Sequence, residues 1–206
     1  HLGSLLAIII YFKVDLFSSV EEKTFLYKII FSSVPVLIFG YILIKLDLID
    51  FMRTAKMIGW STMLFGILLF ICDFSTTTKK IKKDFKYSSA FYIGLFQVLS
   101  LIPGVSRSGI TITAARFLNF SRIESAKISF LMSIPTLGII SLYNLQNIFT
   151  AKSFEISLLN FFSIFLSFIF SYLTIKYFLI FLKKFSLLGF ALYRVILGAL
   201  ILIYAY

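Results

Sequence analysis

The chain has 206 residues, 60% of them hydrophobic and only 14% charged, with 20 Lys and Arg against 9 Asp and Glu. A soluble domain is about 25% charged and about 45–50% apolar; with a mean hydropathy of +0.99 this chain cannot cover a water-facing surface, which excludes a soluble enzyme, a disordered chain and a nucleic-acid-binding domain. The net charge of +11 then reads as Lys and Arg held in cytoplasmic loops, and a single cysteine, Cys72, excludes an internal disulfide.

Apolar runs of about 17–25 residues have the length of a membrane-spanning helix. The sequence opens at His1, without an initiator Met, inside an apolar run over residues 1–12 that reads as a partial span. Further chain is expected upstream. Residues 24–46 predict a full span with Pro35 and Gly40 inside it, and residues 55–71 the next, with Trp60 near one end. Later spans are predicted over residues 129–145, containing Pro135 and Gly138, over the Phe-rich residues 156–180, and over residues 187–206, which carry Arg194 in their interior. Asn144 and Gln146 are expected to cap a span end. The expected fold is all-α: a single polytopic transmembrane bundle over residues 1–206.

Residues 90–118 do not fit a simple span. Both flanks are apolar, but Pro103-Gly104-Val105-Ser106-Arg107-Ser108-Gly109 interrupts the middle, and Pro and Gly end helices. Each flank is about half a membrane thick, and irregular backbone at membrane depth is tolerated only where it is buried in protein or lines a cavity. The segment is therefore expected to be a re-entrant helix–loop–helix hairpin, leaving on the side it entered. The distribution of charge favours this. With a re-entrant hairpin, the side of residues 75–86 collects Lys13, Lys23, Lys79, Lys80, Lys82, Lys83, Lys86, Arg116, Arg122, Lys127, Lys183 and Lys184, and the other side only Lys45, Arg53, Lys56 and Lys152. The first side is then cytoplasmic by the positive-inside rule. A crossing hairpin would divide the charges evenly. Lys28 and Lys176 sit near span ends and can snorkel; only Arg107 and Arg194 fall deep.

An Arg at membrane depth costs about 2.5–3.5 kcal/mol on insertion scales and marks a functional site by default. Arg107 has Ser106 and Ser108 beside it, Gly104 and Gly109 around it, and a helix N-terminus after it. Glycine lets backbone N–H groups approach a ligand, a helix N-terminus favours anions, and Arg donates bidentate hydrogen bonds to phosphate. With Thr111 adding a hydroxyl, these residues describe a phosphate site; the alternative is a helix break whose Arg pairs with a distant carboxylate. Arg194 reads as structural, pairing with a carboxylate or with helix-end carbonyls. Gln97, before the break, could orient a ligand or bridge helices. All nine acids lie in loops or at span ends, so no metal ligand or general base is identifiable at the depth of Arg107.

The stretch Gln97-Val98-Leu99-Ser100-Leu101-Ile102-Pro103-Gly104-Val105-Ser106-Arg107-Ser108-Gly109-Ile110-Thr111 resembles the second signature of the bacterial undecaprenyl-diphosphate phosphatases of the BacA type, PGxSRSGxT preceded by a Gln. His1-Leu2-Gly3-Ser4-Leu5-Leu6-Ala7, Val34-Pro35, Ser133-Ile134-Pro135 and Tyr193-Arg194 with Gly198 are similar to that family in the same order. The resemblance implies a multi-pass enzyme of the bacterial inner membrane. Its substrate is the lipid undecaprenyl diphosphate, cleaved to undecaprenyl phosphate for peptidoglycan synthesis, and overproduction gives bacitracin resistance. It implies an inverted repeat with two re-entrant hairpins, a divalent cation (Mg or Ca), and allows a homodimer. It carries over Arg107 as diphosphate-binding and Ser106 and Ser108 as hydroxyl contacts or nucleophile, these three forming the catalytic set. Gly104, Gly109, Thr111 and Gln97 carry over as substrate-binding. The family's first signature, an acidic stretch followed by PxSSxGH, is expected upstream of His1; without it the 206 residues are expected to be inactive alone. His1 matches a different histidine and is given no catalytic role.

A transporter or flippase for a phosphorylated lipid is the competing class, because broken helices and inverted repeats serve transport equally well. The other membrane phosphatase superfamily, with its SRxxxxxHxxxD segment, is set aside because no His follows Ser106-Arg107.

Overall fold

The computed structural model describes residues 1–13, 20–48, 52–150 and 158–206. Among these residues the elements are α1 (Leu2–Tyr11), α2 (Val20–Lys45), α3 (Ala55–Asp73), the short α4 (Ile81–Asp84), α5 (Tyr87–Val98) with a 3-10 turn (Leu99–Leu101), α6 (Arg107–Phe117), α7 (Arg122–Leu131), α8 (Ser133–Thr150), α9 (Leu158–Lys184) and α10 (Leu188–Ala205). Among the described residues five stretches are long and apolar enough to cross a membrane: Thr24–Lys45, Ala55–Asp73, Arg122–Tyr143, Phe161–Lys184 and Leu188–Ala205. This is the all-α polytopic bundle that the apolar runs predict. The loop positions Asp15, Asp50, Lys152 and Glu155, and the start of the span expected at 156, lie outside the described residues.

The span expected from residue 129 begins at Arg122. Ser121 caps α7, its Oγ accepting from the Glu124 N–H at 3.2 Å, so the helix starts in polar sequence that a hydropathy reading assigns to a loop. Pro135 sits in the first turn of α8, where no backbone donor is needed. That helix runs on to Thr150, which places Asn144 and Gln146 inside it and not beyond its end.

The helices pack in pairs through small residues. The largest interface joins α3 to α10, and a Cβ added at Gly198 would lie 2.7 Å from the backbone nitrogen of Met63; such contact is how helices associate where burial from water gives no drive. α1 lies on α9 and α2 on α5, the first pair joined by Ser4 Oγ with Ser167 and Ser171 at 3.1 and 2.8 Å. Phe12, Ile29, Ile93, Phe120, Ile128 and Leu131 fill the centre. Phe161, Phe170 and Ile203 point outward, as lipid-facing side chains do.

The chain before α5 is stitched to the chain after α6. The Thr78 and Lys79 N–H groups donate to Asn119 O at 3.2 and 3.1 Å, the Ile81 N–H donates to Glu124 Oε2 at 3.0 Å, and the Phe85 and Phe120 rings meet at 6.2 Å. Beside this seam Arg116, 2% exposed, donates to the carbonyls of Phe120, Asp73 and Ser75 at 2.7, 2.9 and 2.7 Å. Arg116 is thus a buried clamp in the last turn of α6, a correction to its reading as one loop charge among many. Asp73 accepts from Arg122 Nε and Nη2 at 2.6 and 2.9 Å and from the Leu187 N–H at 3.1 Å, tying α3, α7 and the start of α10 together. Hydrogen bonds to a charged group contribute about 1.5–3 kcal/mol each. Asp73→Ala is therefore expected to lower unfolding stability in detergent by about 2–4 kcal/mol, read by thermal or denaturant unfolding. A change under about 0.5 kcal/mol, the scatter of ordinary surface substitutions, would show that the cluster is incidental.

Candidate anion-binding site

The helix break is built by three residues in sequence. Ile102 is extended, with ψ 124°, as the residue before a proline prefers. Pro103 brings no donor, and Gly104 holds φ +91°, which side chains rarely adopt. A Cβ on Gly104 would run into Ser61 Oγ and stand 2.6 Å from Ile58 O, so the loop is pressed against α3. Both loop carbonyls are held there. Pro103 O accepts from Ser61 Oγ at 2.5 Å, and Gly104 O accepts from Thr62 Oγ1 at 3.2 Å and from Arg194 Nη2 at 2.8 Å. The Val105 N–H closes the turn on Ile102 O at 3.1 Å.

α6 starts directly after this turn. Ser106 is its N-cap, with Oγ accepting from the Gly109 N–H at 3.2 Å and sharing a hydrogen bond with Ser108 Oγ at 3.2 Å. Ser108 is exposed while Ser106 is partly buried, so Ser108 has the freer hydroxyl. Arg107, partly buried, donates from Nη1 to Thr136 Oγ1 in the first turn of α8. Among the described residues no carboxylate lies within ion-pair distance of Arg107 or Arg194, whereas Arg122 has Asp73. A helix N-terminus carries the equivalent of about half a positive charge. Arg107 adds a whole one at the same place, and the two together lack a counter-charge. This is what an anion site needs: positive charge with a fixed donor set.

Five of the residues singled out from sequence, Gly104, Ser106, Arg107, Ser108 and Gly109, lie together at this break. Thr111 lies a turn further in and is 1% exposed. Its hydroxyl donates to the carbonyls of Arg107 and Ser108 at 2.9 and 3.2 Å and meets Ser129 Oγ at 2.7 Å, so it faces α7. Gln97, in the last turn of α5, is fully buried, and neither amide atom has a hydrogen-bond partner. Sequence reasoning missed Ser61, Thr62 and Thr136. The available signal was a Ser-Thr pair inside an otherwise apolar span, and a Thr one residue after Ser133-Ile134-Pro135.

A divalent cation, implied by the family resemblance, finds no donor set: among the described residues no three His, Cys, Asp or Glu side chains converge, and buried Asp73 is committed to Arg122 and Leu187.

Five helices long and apolar enough to cross a membrane, among the described residues, define the class: a multi-pass membrane protein. The family model described as Bacitracin resistance protein BacA matches residues 1–200, and the chain belongs to that family. Among its curated relatives is the undecaprenyl-diphosphatase of Pelagibacter ubique, 45% identical over the whole of this chain and 80% of the relative. Proteins of the same name from Teredinibacter turnerae and Jannaschia are 37% and 33% identical, over 98% and all of this chain and over 81% and 82% of their own lengths.

Proposed function

We propose that the protein is an undecaprenyl-diphosphate phosphatase of the bacterial inner membrane, releasing phosphate and returning undecaprenyl phosphate to cell-wall synthesis, and that its overproduction confers bacitracin resistance. The observation that carries the reading is Arg107: a guanidinium without a carboxylate partner among the described residues, fixed by Thr136 at the N-terminus of α6. Water adds to the terminal phosphorus, and the bond to the bridging oxygen breaks. Arg107 and the free N–H groups of the first turn of α6 neutralise charge gathering on the terminal phosphate. Ser108 and Ser106 supply hydroxyl contacts, and the Gly104 turn, pressed against α3, sets where the head of α6 stands.

In this reading α5 and α6 are the arms of a re-entrant hairpin. Their lengths of 12 and 11 residues correspond to about 18 and 16 Å of helix, roughly half of the apolar core. Their outer ends meet at the Phe85–Phe120 seam, which supports entry and exit on one side. The prenyl tail stays in lipid while the diphosphate reaches the break.

The test uses protein made from the complete coding sequence, reconstituted in liposomes with undecaprenyl diphosphate. One phosphate released per lipid consumed is the expected result. A lipid phosphate that crosses the bilayer with no phosphate released would replace hydrolysis by transport.

A further inference from the structure

Arg194 spends its charge in an unusual way. It lies on α10, ninety positions from Gly104 in sequence, and its one hydrogen bond among the described residues is to the Gly104 carbonyl at 2.8 Å. A hydroxyl would satisfy that carbonyl; Thr62 already donates to it. Placing a partly buried cation there costs several times more than a hydroxyl would, so its use calls for an explanation beyond satisfying one acceptor.

The explanation lies in what Gly104 cannot do for itself. Glycine takes positive and negative φ about equally readily, so the +91° conformation is not imposed by its own sterics. It is imposed from α3 and α10. Ser61 holds the Pro103 carbonyl, and Thr62 with Arg194 holds the Gly104 carbonyl. In a planar trans peptide the N–H opposes the C=O. Fixing Pro103 O on Ser61 therefore turns the Gly104 N–H away from α3, and both carbonyls are spoken for by donors of α3 and α10. Released, either carbonyl could swing its negative end toward the anion seat. Of the three donors, Arg194 makes the charge-assisted bond, about twice as strong as a neutral one. It also stands on a rigid support, since α10 is packed on α3 through Gly59, Gly66 and Gly198 with no room for a Cβ.

We propose that Arg194 is a positioning residue for the phosphate site, holding the Pro103–Gly104 turn so that Ser106, Arg107 and Ser108 meet the diphosphate. The inference rests on the phosphatase reading above. It differs from a direct phosphate contact in a testable respect. A single carbonyl needs a single N–H, which a lysine ammonium supplies, whereas a bidentate contact to diphosphate does not survive Arg→Lys.

The experiment compares wild type, Arg194→Met, Arg194→Lys and Thr62→Val, each from the complete coding sequence, measuring kcat, KM for a prenyl diphosphate, and thermal unfolding. A misplacement of about 1 Å can cost about 10²-fold in rate. Arg194→Met is expected to lower kcat by about that factor with KM nearly unchanged, and Arg194→Lys to recover most of it. Thr62→Val is expected to lower kcat several-fold. Combined with Arg194→Met it should add little, because both donors serve one carbonyl. Full kcat in folded Arg194→Met overturns the proposal. So does a loss confined to KM that lysine does not repair, which would make Arg194 a direct substrate contact. If Arg194→Met does not fold, Arg194→Lys and Thr62→Val decide: wild-type kcat in Thr62→Val, or a lysine variant as inactive as one lacking the donor, overturns it. A wild-type protein that releases no phosphate sinks the phosphatase reading instead, a result separable from these.

Discussion

Arg107→Ala is expected to lower diphosphate hydrolysis by about 10²–10³-fold, the cost of removing one preorganised donor from developing negative charge. The protein should still insert, because among the described residues the Arg107 side chain bonds to the Thr136 hydroxyl alone, and losing one such bond costs about 1 kcal/mol. Arg107→Lys should also be poor. One nitrogen of the guanidinium is engaged with Thr136, and the rest of its planar fork remains to grip phosphate oxygens; an ammonium offers one compact charge and cannot do both. Phosphate release normalised to protein in the membrane is the measurement. Turnover near wild type in the Ala variant would mean that the guanidinium is not at the reacting phosphate.

Gly104→Ala should be nearly as damaging, for a different reason. A side chain at φ +91° is strained by about 1–2 kcal/mol, and its Cβ would meet Ser61 Oγ and the Ile58 carbonyl of α3. The hydroxyl can rotate away; the backbone oxygen cannot. The turn must lift off α3, breaking the Ser61 and Thr62 bonds and shifting the head of α6. A loss of about 10²-fold in kcat is expected for a displacement near 1 Å, together with about 1–3 kcal/mol of stability. Gly138→Ala is the matched control, since nothing lies within 4 Å of a Cβ added there; it should leave both quantities unchanged. Equal effects at the two positions would show that the loss at 104 is a general cost of crowding a membrane helix.

The apolar spans were legible because they depend on composition over some twenty residues, which no tertiary contact alters. The break was legible because Pro103 and Gly104 act locally, although Gly109, read as part of it, lies inside the first turn of α6; Arg107 stood out as a charge where none belongs. The start of α7 was missed although Ser121-Arg122-Ile123-Glu124 has the spacing of a capping box. Hydropathy gave that polar turn to a loop, and Glu124 serves Ile81 instead of reaching back to Ser121. Arg116 was misread because the carbonyls of Asp73 and Ser75 that justify its burial come from more than forty positions away. Arg194 had the same difficulty: a carboxylate or a helix-end carbonyl was foreseen as its partner, and nothing local identifies Gly104. Ser61, Thr62 and Thr136 are ordinary hydroxyls until folding brings them to the loop and to Arg107.

The seam joining residues 78–81 to residues 119–124 bears on biogenesis. Neither α5 nor α6 is long enough to cross a bilayer, so the translocation machinery would meet two successive segments that are each poor candidates for release into lipid. Only when Asn119 and Glu124 have been synthesised can the seam close, and with it the free backbone donors of Thr78, Lys79 and Ile81 at the base of the pair. In the re-entrant arrangement proposed above, the two arms would then enter the membrane together as one unit once Glu124 has been made.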